Sequence, residues 1–389
     1  MSDATHCKPV PQPRSVIVIG AGIVGMAAAW ALVQCGHAVT LVDPSLLESP
    51  PCHGEGRDAV PEASFSAVPL ESCSGSEAAL GLLMADVFHR SRGRAWRLRQ
   101  RSRELWLQWR QQLEDRGLPL PQRAGLLLLA EDQAQWQRQQ ALVAERRELG
   151  IPLELWPAER LAELQPQIPC GCLGALHSPR DGQLDAALAL RQWRIDGQRH
   201  GLELVAASAL HLERQGGHWQ VQLDSGGARR AEWIVLAAGL NLADLWPQAA
   251  AATPAPRLEA VLGQAVELAV HEEDPDPALW PGSLAWCGIN LVPRPGRRLW
   301  LGATLEPGQR AEPEALARLR SLNGQAPAWL QRATVLRHWQ GLRVKPEGQP
   351  APLLLQPAPG LVVAGGTYRN GVLLAPALAE QVVECLERS

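Results

Sequence analysis

The chain opens on polar, proline-rich residues (1–13) and then turns apolar. Val16-Ile17-Val18-Ile19 is an unbroken β-branched run, the pattern of a strand covered on both faces. Glycines follow at 20, 22 and 25, and the small apolar residues over 25–34 suit a buried helix that ends near Gly36-His37. Ala38-Val39-Thr40-Leu41-Val42 forms a second strand closed by Asp43-Pro44, so the opening predicts a β-α-β unit. Residues 44–72 break the pattern with Pro-Pro and scattered Ser and Glu, and read as an inserted surface loop. Helical spacing returns over 94–113, where Leu98, Leu105, Trp109 and Leu113 share one side. A strand over 125–130 and a helix over 132–149 follow, and Pro157 opens a further short helix. In the second half, 202–206 reads as a strand, and 218–223 pairs with 231–237 across Asp224-Ser225-Gly226-Gly227. Strand-like segments at 264–270, 289–292 and 299–304 suggest an antiparallel sheet. A buried strand over 361–364, the pair Gly365-Gly366 and a helix to residue 387 close the chain, with no internal repeat.

Composition narrows the class. At 389 residues the chain exceeds one ordinary core, so two domains are expected. A net charge of −3 gives no reason to expect nucleic acid, although Lys8 and Lys345 are the only lysines and arginine carries nearly all positive charge. The arginine run over 90–110, interleaved with Trp96, Trp106 and Trp109, has its apolar residues at helical spacing and is interrupted by Glu104. It reads as the solvated face of a helix. The uncharged stretch 16–33 has the length of an export signal or membrane span. Its regularly placed glycines and its β-branched start fit strand, turn and helix instead, so no stable membrane insertion and a cytoplasmic location are expected. Eight cysteines with no C-x-x-C pair read as reduced thiols, and no metal site is expected.

The chemistry starts at Gly20-Ala21-Gly22-Ile23-Val24-Gly25, directly after one strand and opening one helix. Gly20 permits a tight turn, Gly22 lets the backbone approach a pyrophosphate, and Gly25 lets helix and strand pack closely. The helix start offers free N–H groups and partial positive charge to phosphates. Asp43, ending the next strand, can accept from a ribose hydroxyl. This pattern predicts dinucleotide binding and by itself leaves FAD and NAD both open.

Four further segments decide between them. They are Gly75-Ser76-Glu77-Ala78-Ala79-Leu80-Gly81-Leu82-Leu83, Ile234-Val235-Leu236-Ala237-Ala238-Gly239, Gly341-Leu342-Arg343, and Gly366-Thr367-Tyr368-Arg369-Asn370-Gly371-Val372-Leu373-Leu374-Ala375-Pro376. With them the chain resembles the FAD-dependent D-amino-acid oxidase family, and within it the glycine oxidases of thiamine biosynthesis. The resemblance runs from Val16 to Leu386 apart from 44–72, and the closing segment is its most specific part.

The resemblance implies an α/β (α+β) fold: a glutathione-reductase-type Rossmann FAD-binding domain with an interleaved antiparallel-sheet substrate domain. The FAD-binding domain is expected over 14–110, 180–255 and 345–389, with 44–72 inserted, and the substrate domain over 111–179 and 256–344. FAD would be held by the first glycine turn and Asp43, by Ser76, Ala79, Gly81 and Leu82, by Val205, Ala238 and Gly239, and by Gly366, Tyr368, Asn370, Gly371, Val372 and Leu373. The helix after Asn370-Gly371 can aim its N-terminus at the negative charge of reduced flavin and raise its potential. Arg343 would grip a substrate carboxylate through two parallel hydrogen bonds, with Arg369 and Asn290 also in the catalytic site. The implied reaction is hydride transfer from Cα of a small amino acid or amine to flavin N5, giving an imine, with oxygen or an electron carrier reoxidising the flavin. A dehydrogenase for D-amino acids or secondary amines and a flavin-binding protein without catalysis stay open, as does assembly into a homo-oligomer. The chain also departs from the glycine-oxidase pattern. Asn290 stands where those enzymes have a tyrosine, Leu305 where they have a methionine, and Arg343-Val344-Lys345-Pro346 replaces the usual Arg-Pro. The first two would line the substrate pocket, which puts glycine as the substrate in question.

Overall fold

The structure is a computed structural model that describes residues 12–47 and 68–388; most of the 44–72 insertion and nearly all of the 1–13 lead-in lie outside them. The β-branched runs build one sheet of six strands, in the order Leu353–Ala358, Leu361–Gly365, Trp233–Leu236, Ser15–Ile19, Ala38–Val42, Glu203–Val205. All neighbours are parallel except the first pair. Helix Ile23–Gln34 is buried from Ile23 through Val33, because it lies in the core with helices Ala186–Arg199 and Gly371–Glu387 around it. A helix buried all round has no amphipathic stripe, which explains why this segment could look like a membrane span. Among the described residues, no helix is long and apolar enough to cross a membrane.

Helix Arg94–Asp115 turns its tryptophans inward. Trp106 and Trp109 join Trp30 and Trp193, with Trp106–Trp193 centroids 5.1 Å apart and Trp30–Trp109 4.7 Å apart. Arg94 and Arg97 are exposed, and Arg101 and Arg103 form ion pairs. Arg99 is instead buried over the Phe88 ring and Arg110 donates to the Leu120 carbonyl, so the face is only partly solvated. Trp193 is fully buried at the centre of this cluster. Trp193→Ala is therefore expected to cost about 3–5 kcal/mol, read from the midpoint of urea unfolding at unchanged slope.

The larger sheet runs Leu70–Ser72, Thr334–Pro346, Leu258–Ala269, Arg298–Gly302, Ile289–Arg294, Ser283–Trp286, Gln122–Ala130, Gly174–Leu184, Leu82–Leu83. It is antiparallel except where Leu70–Ser72 and Ser283–Trp286 pair with their long neighbours in parallel. Several expectations are corrected here. Residues 70–72 are an edge strand of this sheet rather than surface loop. The hairpin partner of His218–Leu223 is Ala228–Ala231, and the chain then leaves that three-stranded sheet to place Trp233–Leu236 in the parallel one. Glu232 makes the corner, accepting hydrogen bonds from the Ser15 backbone N–H at 2.8 Å and from the Ser15 hydroxyl at 3.1 Å. Strand Gly174–Leu184 and helix Ala186–Arg199 were not foreseen, although Asp185 caps that helix by accepting from Leu188 N at 3.0 Å. The thiols also divide: Cys35 is disulfide-bonded, while Cys73, Cys170, Cys172, Cys287 and Cys385 are free.

Two buried charges fix the segment after Leu83. Asp181 accepts from the backbone N–H groups of Ala85, Asp86 and Val87 at 2.7, 3.0 and 3.1 Å. Arg146 donates to the carbonyls of Asp86, Phe88 and Arg90. Burial, reinforced by the Asp86 charge, pushes the Asp181 carboxyl up to about 6. An unfolded aspartate titrates near about 3.9. Between those values the folded chain therefore holds a proton that the unfolded chain has lost, and stability falls as pH rises through the window. Asp181→Asn is expected to flatten that slope in unfolding curves taken from acid to neutral pH.

Candidate active site

Both glycine turns open into one cleft of about 1420 Å³. The first is tight because Gly20, at φ +105°, sits where an added Cβ would stand 2.5 Å from the Ala237 carbonyl oxygen. Gly25 faces Gly20 so closely that a Cβ there would collide with its carbonyl. Gly25 thus lets helix meet strand and does not itself line the cleft. Asp43 braces the turn, accepting from Ala21 N at 2.8 Å and from Ser45 N at 2.9 Å. Ser76 caps the first helix through a hydrogen bond from Ile23 N to its Oγ at 2.8 Å, and its Oγ lies 3.2 Å from where a Gly22 Cβ would be. The closing turn meets the opening one directly, since a Cβ on Gly371 would stand 3.5 Å from Ile23 Cγ2. Tyr368 holds a left-handed backbone at φ +54°, unusual for a bulky residue, and its N–H donates to Val344 O at 3.0 Å.

Of the residues singled out from sequence, Gly20, Gly22, Ile23, Val24 and Asp43 line the cleft, as do Ser76, Ala79, Gly81 and Leu82. So do Ala238 and Gly239, the closing residues Gly366, Tyr368, Asn370, Gly371 and Val372, and the trio Asn290, Arg343 and Arg369. Four do not. Ala21 gives its N–H to Asp43, and Gly25 packs inside the turn. Val205 lies at a strand end, where its carbonyl accepts from Asp43 N at 3.1 Å. Leu373 is buried in the core, with its carbonyl taken by the Ser102 hydroxyl.

Arg343 comes from the strand Thr334–Pro346 and lies against the backbone of Gly263, where any side chain would displace the guanidinium. Nη1 donates to the carbonyls of Leu262 and Thr304, both at 3.1 Å, which uses both of its hydrogens. Nε and Nη2 stay uncommitted to described residues, and they are the side-on pair that matches a carboxylate. Burial first, and then the charge of Arg369, lower the affinity of Arg343 for its proton. Even so, guanidinium stays charged.

Behind Arg343 lies a network that the sequence reading missed. The buried Glu306 carboxylate accepts from Gln264 Nε2 at 3.0 and 3.1 Å, from Glu312 N at 2.6 Å, and from the Thr304 hydroxyl. Thr304 in turn accepts from Gln264 N at 2.7 Å, and His338 Nε2 lies 3.0 Å from Gln264 Oε1. Burial, offset in part by Glu306, lowers the His338 pKa. The signal available in sequence was polar residues in otherwise apolar strands, which is weak without their partners in view.

A cleft walled by glycines, with a capped helix start at its floor, suits a dinucleotide's pyrophosphate. The chain belongs to the FAD dependent oxidoreductase (DAO) family, whose model matches residues 15–385. Glycine oxidase from Geobacillus kaustophilus (strain HTA426) is 25% identical over 386 residues, covering 96% of this chain and 93% of that protein. The bifunctional protein ThiO/ThiG of Nostoc sp. is 28% identical over 381 residues; 96% of this chain matches 52% of that protein, about half its length. Among solved structures, glycine oxidase from Geobacillus kaustophilus superposes with a TM-score of 0.79 at 22% identity, covering 97% of this chain and 95% of the other. Iminodiacetate oxidase from Chelativorans sp. BNC1 does so at 0.75 and 20%, covering 95% of each. The fold is that of these flavoenzymes, as the sequence implied, and the protein is an FAD-dependent oxidoreductase with FAD as its cofactor.

Proposed function

We propose that this enzyme oxidises the Cα–N bond of a small amino acid or amine, in the manner of a glycine oxidase. The observation that carries this reading is a half-buried arginine, Arg343, lining the same cleft as both glycine turns with no carboxylate paired to it among the described residues. In this reading Gly20, Gly22 and Ser76 face the pyrophosphate, Asp43 a ribose, and Gly371 and Val372 the flavin end. When bound, FAD supplies the two-electron acceptor for the Cα hydride, and water then hydrolyses the substrate imine. Arg343 holds the carboxylate side-on through Nε and Nη2, and Asn290 offers an amide donor beside it. No Asp or Glu among the described residues lines the cleft around Arg343, and no general base need be supplied there if the amine enters uncharged.

The resemblance to glycine oxidases and to ThiO/ThiG supports imine supply for the thiazole of thiamine as the pathway. A cytoplasmic setting belongs to the same reading. So does a division into an FAD half (14–110, 180–255, 345–389) and a substrate half (111–179, 256–344). All six strands of the parallel sheet fall in the first set, while Leu70–Ser72 and Leu82–Leu83 reach across into the larger sheet. Purified protein should turn over a small amino acid with one ammonia and one hydrogen peroxide formed per oxygen consumed. Turnover with an artificial electron acceptor but not with oxygen would make it a dehydrogenase, and turnover with neither would remove the catalytic reading.

A further inference from the structure

The charges around Arg343 say more about the substrate than that it carries one carboxylate. Three arginines line the cleft at this end: Arg343 at depth, Arg369 after the closing glycine turn, and Arg318 on helix Pro313–Ser321. Arg318 and Arg369 are exposed, and neither has a hydrogen-bond or ion-pair partner for its side chain among the described residues. Several half-buried arginines elsewhere pair with acids, as Arg116 with Asp196, Arg180 with Asp86, Arg294 with Asp185 and Arg298 with Glu267, and others, such as Arg110 and Arg123, are satisfied by backbone carbonyls. The only carboxylates lining the cleft are Asp43 and Asp244, among the described residues. Asp43 follows the strand Ala38–Val42, and Asp244 follows the turn at Gly239–Leu242, so both sit at the parallel-sheet end. At the other end the charged side chains lining the cleft are arginines, and the acid that acts on Arg343, Glu306, is buried behind Thr304 and does not line the cleft.

Like charges that line one cavity repel, and Arg369 opposes the charge on the half-buried Arg343. A single carboxylate on Arg343 leaves the exposed Arg369 and Arg318 side chains without an anionic partner among the described residues. Resting on the amine-oxidation reading, we infer that the preferred substrate is a small amino acid with two carboxylates, one held by Arg343 and the second by Arg369 and Arg318. Asn290, smaller than the tyrosine of glycine oxidases, leaves volume for the added group.

The test compares compounds that differ by one carboxylate: iminodiacetate against N-methylglycine, and aspartate against alanine, each enantiomer separately, on the FAD-loaded enzyme. The dicarboxylate of a pair is expected to show the higher kcat/KM by about tenfold or more, a margin that shrinks as salt is added. In Arg318→Ala and Arg369→Ala, with FAD content measured alongside, the ratio of dicarboxylate to monocarboxylate kcat/KM should fall toward one. Turnover of monocarboxylates with equal or better efficiency would overturn the inference and leave amine oxidation standing. If no compound is turned over, the oxidation reading fails. The dissociation constants of iminodiacetate and N-methylglycine, followed through the flavin spectrum, then decide the inference separately, and equal affinities would end it.

Discussion

Arg343→Ala is expected to lower kcat/KM for carboxylate-bearing amines by about a thousandfold, with FAD still bound. The size follows from what is lost together: a charge-assisted pair of hydrogen bonds in a partly desolvated cleft and the orientation they impose on Cα. FAD should stay because Arg343 sits on the large sheet, held there by the carbonyls of Leu262 and Thr304. Arg343→Lys should recover only part of the loss, since an ammonium restores the charge without the planar fork. Kinetics indistinguishable from the parent would take this residue out of the site. Glu306 acts one step removed, through Thr304, so Glu306→Gln should raise KM more than it lowers kcat.

The second large effect is at Gly22. Gly22→Asp would set a carboxylate at the start of helix Ile23–Gln34, on the wall of the cleft and next to Ser76 Oγ. At a helix N-terminus a negative charge favours the folded chain by about 0.3–1 kcal/mol, so the variant should fold. The same charge would face the FAD pyrophosphate and occupy the place its oxygens need. FAD affinity is expected to drop by at least about a hundredfold, giving a folded, colourless protein. Equilibrium dialysis against FAD measures it, with unfolding curves recorded in parallel. A yellow variant of parental affinity would place the cofactor elsewhere.

What could be read from sequence depended on how local each signal is. The opening unit was legible because strand, glycine turn, helix and strand are consecutive, and the second strand begins and ends where its apolar run does, at Ala38 and Val42. The closing helix was legible for the same reason, from Gly371 to Glu387. The corner at Glu232 was not, because Ala228–Ala231 and Trp233–Leu236 form one continuous strand-like run whose division is set by which sheet each half joins. Gly174–Leu184 was hidden by Pro179, Asp181 and Gly182, which read as loop until their partners on Gln122–Ala130 and Leu82–Leu83 are in place. In the site, Arg343 was found through its motif, whereas Thr304, Glu306 and Gln264 position it from two other strands and the segment before one of them, and carry no signature of their own. Arg318 was one arginine among many until the helix Pro313–Ser321 brought it to the cleft.

The most direct measurement adds a small amino acid to the purified yellow protein without oxygen and follows the flavin absorption band. If the two ends of the chain enclose FAD over the Arg343 guanidinium, the band bleaches with the substrate, and it does so far more slowly in Arg343→Ala. A band that no amine or amino acid reduces, in protein whose FAD still responds to dithionite, would contradict that arrangement.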